Sequence, residues 1–218
     1  MQQARQAARV KGWFSVVLAG EHTPQRTYQL LAQPRHKDRI SWGQLHIFWG
    51  DERCVLSDDL RSNAHMARQA LLAQVPSPPS QIHPIQCSWS PQVTAEQYEG
   101  VLRAFFGDQS PRFDLVFLGL GENGHTVSLF PGTPVLEEQE HWVAAVHVAE
   151  QDMDRVTLTA PLINQAAMVV FLVSGANKAA VLREVLDGRQ IPIACRPRWP
   201  GRQAATCTGF WIEKPSAY

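Results

Sequence analysis

Residues 113–121, Phe-Asp-Leu-Val-Phe-Leu-Gly-Leu-Gly, make a nearly continuous apolar run that passes directly into a glycine-rich loop. A run this apolar cannot rest with one face in water, so it predicts a central strand covered on both sides, the kind found in a parallel sheet. Parallel strands need long crossover connections, usually helices. This one segment therefore asks for helical segments elsewhere in the chain.

The chain supplies them. Residues 14–18 and 45–50 are further short apolar runs, and 142–148, 155–161 and 168–175 also read as strands. Helical segments are expected at 25–33, 62–74, 94–106 and 177–188. Thr23 before Pro24 is placed to cap the first, Ser62 or Asn63 the second, Thr94 with Gln97 forms a capping box on the third, and Gly188 closes the last. Residues 76–84 form a turn-rich connector, and one short strand is expected at 209–213. The alternation predicts a single α/β domain over residues 1–218, a mostly parallel sheet flanked by helices. Ligands of such sheets bind beyond the carboxyl ends of the strands. That brings the loops at 20–24, 51–53 and 119–131 to one edge.

Composition excludes several partners. Lys+Arg 20 against Asp+Glu 20 leaves no net field to draw the chain onto nucleic acid or an anionic membrane. The seven tryptophans do not interleave with a basic patch, which argues against a base-stacking surface. Apolar runs of at most eight residues fall well short of the roughly 20 needed for a membrane span. The apolar run after the basic start reads as a strand rather than a signal core, so a cytoplasmic protein is expected. Four cysteines without a CxxC pair read as reduced, packed thiols. Histidines and cysteines fall at no ligand spacing, and no metal is expected.

The chemistry concentrates in the loop after the central strand. Gly119, Gly121 and Gly124 let the backbone approach a ligand and leave N–H groups free for a developing oxyanion. His125 follows, with an imidazole suited to proton transfer near neutral pH and a pH limb between about 6 and 7.5. The plainer reading is a tight turn with a structural histidine. Asp51, Glu52 and Arg53 read alone as a solvated charged turn, but they share the sheet edge with His125. There Asp51 could orient a histidine or water and Arg53 could pair with an anion. Arg155 and Lys178 stand at element boundaries; the Lys178 loop opens a helix, a fair place for phosphate. There is no GxxxxGK[ST] loop and no GxSxG elbow.

Together these segments resemble the 6-phosphogluconolactonase family, which shares a fold group with glucosamine-6-phosphate deaminase and ribose-5-phosphate isomerase. The likeness is carried by FWGDERCV, DDLRSNAHMA, FDLVFLGLGENGHTVSLFPGT, RVTLTAPLINQA and VSGANKAAVLREVL. GHTVSLFPG is the most specific, because the deaminase branch continues differently after its histidine. The resemblance implies hydrolysis of 6-phospho-D-glucono-1,5-lactone in the pentose phosphate pathway, with no cofactor, by a monomer or weak homodimer. It implies His125 as general base or acid and Asp51 and Arg53 at the reacting end. Arg155 and Lys178 would hold the 6-phosphate, with Gly20, His22, Thr23, Asn63 and Gly124 completing the sugar-phosphate contacts. Where the family usually carries Gly-Gly-Ser-Thr-Pro, this chain has Gly20-Glu21-His22-Thr23-Pro24. The start also falls later than usual, so a shortened N-terminus is expected. Two rivals remain open: a sugar-phosphate isomerase or deaminase, and a non-catalytic phosphosugar-binding protein.

Overall fold

The computed structural model describes residue 7, residues 9–87 and 90–186, and the backbone of 206–213. Six strands form one parallel sheet in the order β4-β2-β1-β5-β8-β9. They are β1 Phe14–Leu18, β2 Leu45–Trp49, β4 Ile82–His83, β5 Leu115–Leu118, β8 Met168–Ser174 and β9 Thr206–Glu213. All five neighbouring pairs run parallel. Every residue of β1 is buried, as a central strand covered on both faces requires.

From β1 the chain builds outward through β2 to β4, and then returns to the other side of β1 to lay down β5, β8 and β9. This reversal between β1 and β5 is a topological switch point, where the connections leave in opposite directions and open a crevice at the carboxyl ends. Residues 19–21 leave β1 at that crevice, and 119–125 leave β5 beside them.

The principal helices are α1 His22–Leu31, α2 Asn63–Ala70, α3 Pro91–Phe106 and α4 Ala179–Leu186. Two buried tyrosines on these helices hold the strand ends. Tyr28 of α1 accepts from Ala19 N at 2.9 Å and donates to Ala19 O at 2.9 Å. Tyr98 of α3 accepts from Trp49 N at 2.9 Å and donates to Trp49 O at 3.2 Å. Each phenol satisfies a backbone pair that the sheet leaves unmatched, one residue before a glycine turn. The loops that begin at Gly20 and Gly50 therefore start from rigid points.

The structure differs from the sequence reading in several places. Asp51–Arg53 is not a charged turn but a strand, β3, antiparallel to β7 (Met153–Leu158). With β6 (Val143–Val148) these make a second, three-stranded antiparallel sheet. The chain crosses between sheets at Gly50, whose N donates to Leu18 O while its O accepts from Leu158 N. An added Cβ there would lie 2.7 Å from Val127 Cγ1, so only glycine allows the crossing. Helix α1 begins at His22 with Glu21 in the cap position, which leaves Thr23 inside the first turn rather than at the cap. Helix α3 begins at Pro91, capped by Ser90, because proline suits the first helical position; Thr94 is a buried helical residue. Ser62 caps α2 as expected, accepting from His65 N, and α2 gives way after Ala70 to a 3₁₀ turn, Leu72–Gln74. The connector at 76–84 holds β4. Gly188 lies outside the described residues. Among the described residues no helix is long and apolar enough to cross a membrane.

At the β2 and β4 edge, His46 and His83 stack with interplanar angle 8° and share a hydrogen bond of 3.1 Å between Nδ1 and Nε2. Phe48 lies against His83 with ring centroids 4.5 Å apart. Burial and the neighbouring His46 push His83 down to about 4, and burial lowers His46 too. Unfolding returns both rings to water, where they take protons at ordinary imidazole values, so the unfolded chain binds more protons below about pH 6.5. Stability should therefore fall as pH drops from about 6.5 towards 4, and His83→Gln should shrink that loss. Thermal melts of both proteins at pH 7.5 and pH 5 check it; an equal loss in each would place the acid sensitivity elsewhere.

Candidate active site

An open cleft, with about 310 Å³ of space that includes part of the solvent at its mouth, lies at the switch point. Its wall draws on five segments: Gly20 and Glu21 after β1, Asp51 and Arg53 of β3, Asn63 of α2, Gly119, Gly121 and His125 to Val127 of the loop after β5, and Arg155 of β7. The structure thus brings together His125, Asp51, Arg53, Asn63, Gly20 and Arg155 from five separate stretches of the sequence. His22, Thr23, Gly124 and Lys178 are not in that wall.

The His125 ring is fixed from three sides. Gly121 N donates to His125 O at 2.8 Å, which closes the loop into a compact turn. The imidazole stacks on Phe130 with centroids 3.9 Å apart. Its Nδ1 lies 2.5 Å from Asn123 Oδ1, an oxygen that can only accept, so Nδ1 carries the hydrogen and Nε2 keeps a free lone pair. The partner that orients the ring at Nδ1 is Asn123, and Asp51, expected to orient a histidine or a water, acts on His125 through its charge. Gly121 is required here for space: a Cβ on it would lie 2.1 Å from His125 Nδ1. Gly124 is required for conformation, with φ at +82°. Burial pushes the imidazole down to about 4, with Arg155, Lys178 and Arg53 adding to the effect and Asp51 opposing it. His125 is consequently a neutral base across the physiological range.

Asp51 is 5% exposed and accepts from Ser128 Oγ at 2.6 Å and from Asn63 Nδ2 at 3.1 Å. Arg155 Nη1 stands 3.6 Å from Asp51 Oδ2 and donates to Ser128 Oγ at 3.4 Å. Its Nη2 donates to Gln151 Oε1, and its guanidinium lies over the Phe130 ring. Arg53 Nη1 donates to Arg61 O at 2.7 Å. Buried Arg53 Nε, Arg155 Nε, Asn63 Oδ1 and Thr126 Oγ have no partner within the protein. Four orphaned polar atoms around one cavity suit a polar ligand that would complete their hydrogen bonds.

Glu52, read as part of a solvated turn, is instead 3% exposed. It accepts from Asn63 N and Ala64 N at the start of α2, from Arg53 N, and from Ser62 Oγ. Ser128, which bonds a carboxylate 77 residues away, and Phe130, which acts by ring contact, carry no local motif, and Asn123 and Gln151 gain their roles only from where the fold turns the His125 and Arg155 side chains. A single signal was available: a serine and an aromatic residue just beyond His125 in an apolar stretch.

Lys178 stands outside the wall, although its charge acts on His125. Thr23 Oγ1 lies 2.8 Å from Ser174 Oγ, tying the first turn of α1 to the end of β8. The turn Ala176–Lys178 follows, and Asn177 Nδ2 donates to Glu122 Oε1 at 2.8 Å, joining it to the His125 loop. In the altered loop it is Glu21, held at φ 74°, that enters the wall, with Oε2 3.5 Å from where a Gly119 Cβ would sit; His22 is exposed.

Residues 1–204 match the family described as glucosamine-6-phosphate isomerases/6-phosphogluconolactonase. The chain belongs to this family. Its likeness to the 6-phosphogluconolactonase of Synechocystis sp. is 41% identity over 191 residues, covering 84% of this chain and 77% of that one. The Nostoc sp. 6-phosphogluconolactonase is 38% identical over 184 residues, 82% of this chain and 74% of that one. Among solved structures, Thermotoga maritima 6-phosphogluconolactonase superposes with a TM-score of 0.75 at 30% identity, covering 86% of this chain and 82% of that one. The mostly parallel sheet flanked by helices is the fold of this family.

The Gly121 contact generates a prediction. Gly121→Ala should drive the imidazole off Asn123 and towards water, so the His125 titration midpoint, about 4 in the wild type, should move up towards 6.5. NMR titration of the ring Cε1 proton reads both values. A variant midpoint still near 4 would show that Gly121 does not set the ring's place.

Proposed function

We infer that this chain hydrolyses 6-phospho-D-glucono-1,5-lactone to 6-phospho-D-gluconate, the lactone-opening step of the pentose phosphate pathway. The carrying observation is the neutral His125 imidazole, tied at Nδ1 by Asn123 and free at Nε2, in a cavity walled by two arginines and a buried aspartate. The 6-phosphogluconolactonase relatives support the same reading.

A water held at Nε2 gives up its proton as it attacks the lactone carbonyl carbon. The carbonyl oxygen becomes a tetrahedral oxyanion, which the Arg53 guanidinium stabilises; the N–H groups of Gly121 and Gly124, expected from the sequence to be free for it, are instead bonded to His125 O and Gly121 O. The imidazolium formed is stabilised by the Asp51 charge. As the ring C–O bond breaks, the proton passes from Nε2 to the departing oxygen, and the carboxylic acid released ionises. Base and acid are the same group, so one histidine serves both halves. Arg155 and Lys178 supply the positive charge that holds the 6-phosphate, with Thr23, tied to Ser174 at the end of β8, at the start of α1. The substrate is a small sugar phosphate, and a cytoplasmic place is in keeping with it.

His125→Ala should lower kcat by ~10²-fold or more with folding intact. The wild-type kcat/KM should stay level as pH falls past 6, since burial keeps the base neutral well below the ordinary imidazole range; this replaces the limb at 6 to 7.5 expected from sequence. A lactonase assay corrected for spontaneous hydrolysis measures both. More than half of the wild-type rate in the variant would overturn the mechanism.

Lys178→Ala tests the phosphate end. It should raise KM for the phosphorylated lactone about tenfold, equivalent to ~1.4 kcal/mol, and leave unphosphorylated gluconolactone unaffected. Equal losses on both lactones would make Lys178 structural. Arg155 is a less clean probe, because removing it leaves the buried Asp51 carboxylate without its cation.

A further inference from the structure

Cys54 and Cys87, 33 residues apart in sequence, meet with their sulfurs 2.8 Å from one another. Cys54 is the residue directly after Arg53 at the end of β3, and Cys87 lies in the connector between β4 and α3. Both are half-buried free thiols. A disulfide needs its sulfurs at about 2.05 Å, so closing one asks the sulfurs to approach by about 0.75 Å. The backbone is already anchored beside the pair: Cys54 N donates to Asp154 O at 2.9 Å and Val55 N to Arg53 O at 2.8 Å.

We propose that Cys54 and Cys87 form a redox modification site, closing to a reversible disulfide when the chain meets a small-molecule disulfide such as oxidised glutathione. The Cys87 S–H donated to Cys54 holds the Cys54 thiol below its ordinary range, against burial and the charges of Asp154 and Glu52. Cys87, as donor and by burial, is pushed up. Cys54 is therefore the attacking thiolate. Its sulfur displaces one thiolate from the disulfide and forms a mixed disulfide. Cys87 then loses its proton and attacks the Cys54 sulfur, expelling the second thiolate. The two cysteine sulfurs lose two electrons, the oxidant gains them, and the two thiol protons leave on the two reduced thiols.

Two consequences follow. The bridge closes a loop of more than thirty residues in the unfolded chain, so the oxidised protein should melt about 5 °C or more above the reduced one. It also draws on the segment that carries Arg53, whose Nη1 donates to Arg61 O within the same loop. Small displacements of a positioning group are costly in rate, and the bridged protein should lose at least ~threefold in kcat/KM. This second consequence rests on reading the cavity as the lactone site; the bridge and the melting shift do not.

The test equilibrates the full chain with oxidised glutathione, blocks free thiols, and maps the peptides by mass. The expected result is a Cys54–Cys87 linked pair lighter by two hydrogens, reversed by dithiothreitol, with the higher melting temperature. Cys87→Ser should instead trap a glutathione adduct on Cys54 with no rise in melting. Separate glutathione adducts on both wild-type cysteines, two unmodified thiols, or bridges to Cys195 or Cys207 instead would each overturn the proposal. An unchanged kcat/KM in a fully bridged sample would overturn the coupling to Arg53 alone, leaving the modification site standing.

Discussion

The Glu52 carboxylate sits almost fully enclosed between β3 and α2, and its two oxygens accept from Arg53 N, Asn63 N, Ala64 N and Ser62 Oγ. Burial raises its affinity for a proton, while the four donors pull the other way. Two of them are amides in the first turn of α2, which would otherwise lack partners, and a negative charge is favoured at that end of a helix. One side chain thus fixes the helix against the strand. Asp51 and Arg53 flank it on β3, and Asn63 starts α2. Three cavity-lining groups therefore inherit their positions from a residue that does not touch the cavity.

The charges inside the cavity are arranged against a protonated histidine but not against an imidazolium formed in passing. Arg155, Arg53 and Lys178 disfavour charge on His125, and desolvation does so more strongly. Asp51 acts in the opposite sense, and its own charge is held by Ser128, Asn63 and the Arg155 guanidinium. A base of this kind is weak in proton affinity yet always available. It also returns its proton readily, which suits a reaction whose leaving group needs one.

Two of the three described non-glycine residues with positive φ lie at the same place; the third, Asp152, is in the turn between β6 and β7. Glu21 and Val127 both have positive φ, at 74° and 46°, although neither is glycine. A β-branched residue in this region is uncommon, and each such position costs of order 1–3 kcal/mol. Both line the cavity. Val127 is held there because its Cγ1 fills the space left by the missing side chain of Gly50, where the chain changes sheets. Glu21 is held by the start of α1, whose Gln25 N donates to Glu21 O.

The segment after β5 was legible because its signals are local: an apolar strand, glycines at 119, 121 and 124, and a histidine. The same holds for the α/β class and most of the parallel strands, whose apolar runs need no partner to be recognised. The Asp51–Arg53 strand was not legible, since three charged residues look solvated until β7 pairs with them and α2 covers them. The helix starts at His22 and Pro91 are hidden for a related reason: the threonines at 23 and 94 carry the local signature of a cap, while tertiary contacts claim or bury those side chains. By itself the sequence determined the layered α/β architecture, the glycine-rich loop with His125 and the absence of net charge, because period, turn chemistry and charge are properties of neighbouring residues. Only the tertiary structure decided that Asn123 orients the imidazole, that Glu52 is buried, that Arg155 pairs with Asp51 and that Cys54 meets Cys87. Those are contacts between side chains whose meeting depends on sheet order, register and burial, and no local pattern encodes them.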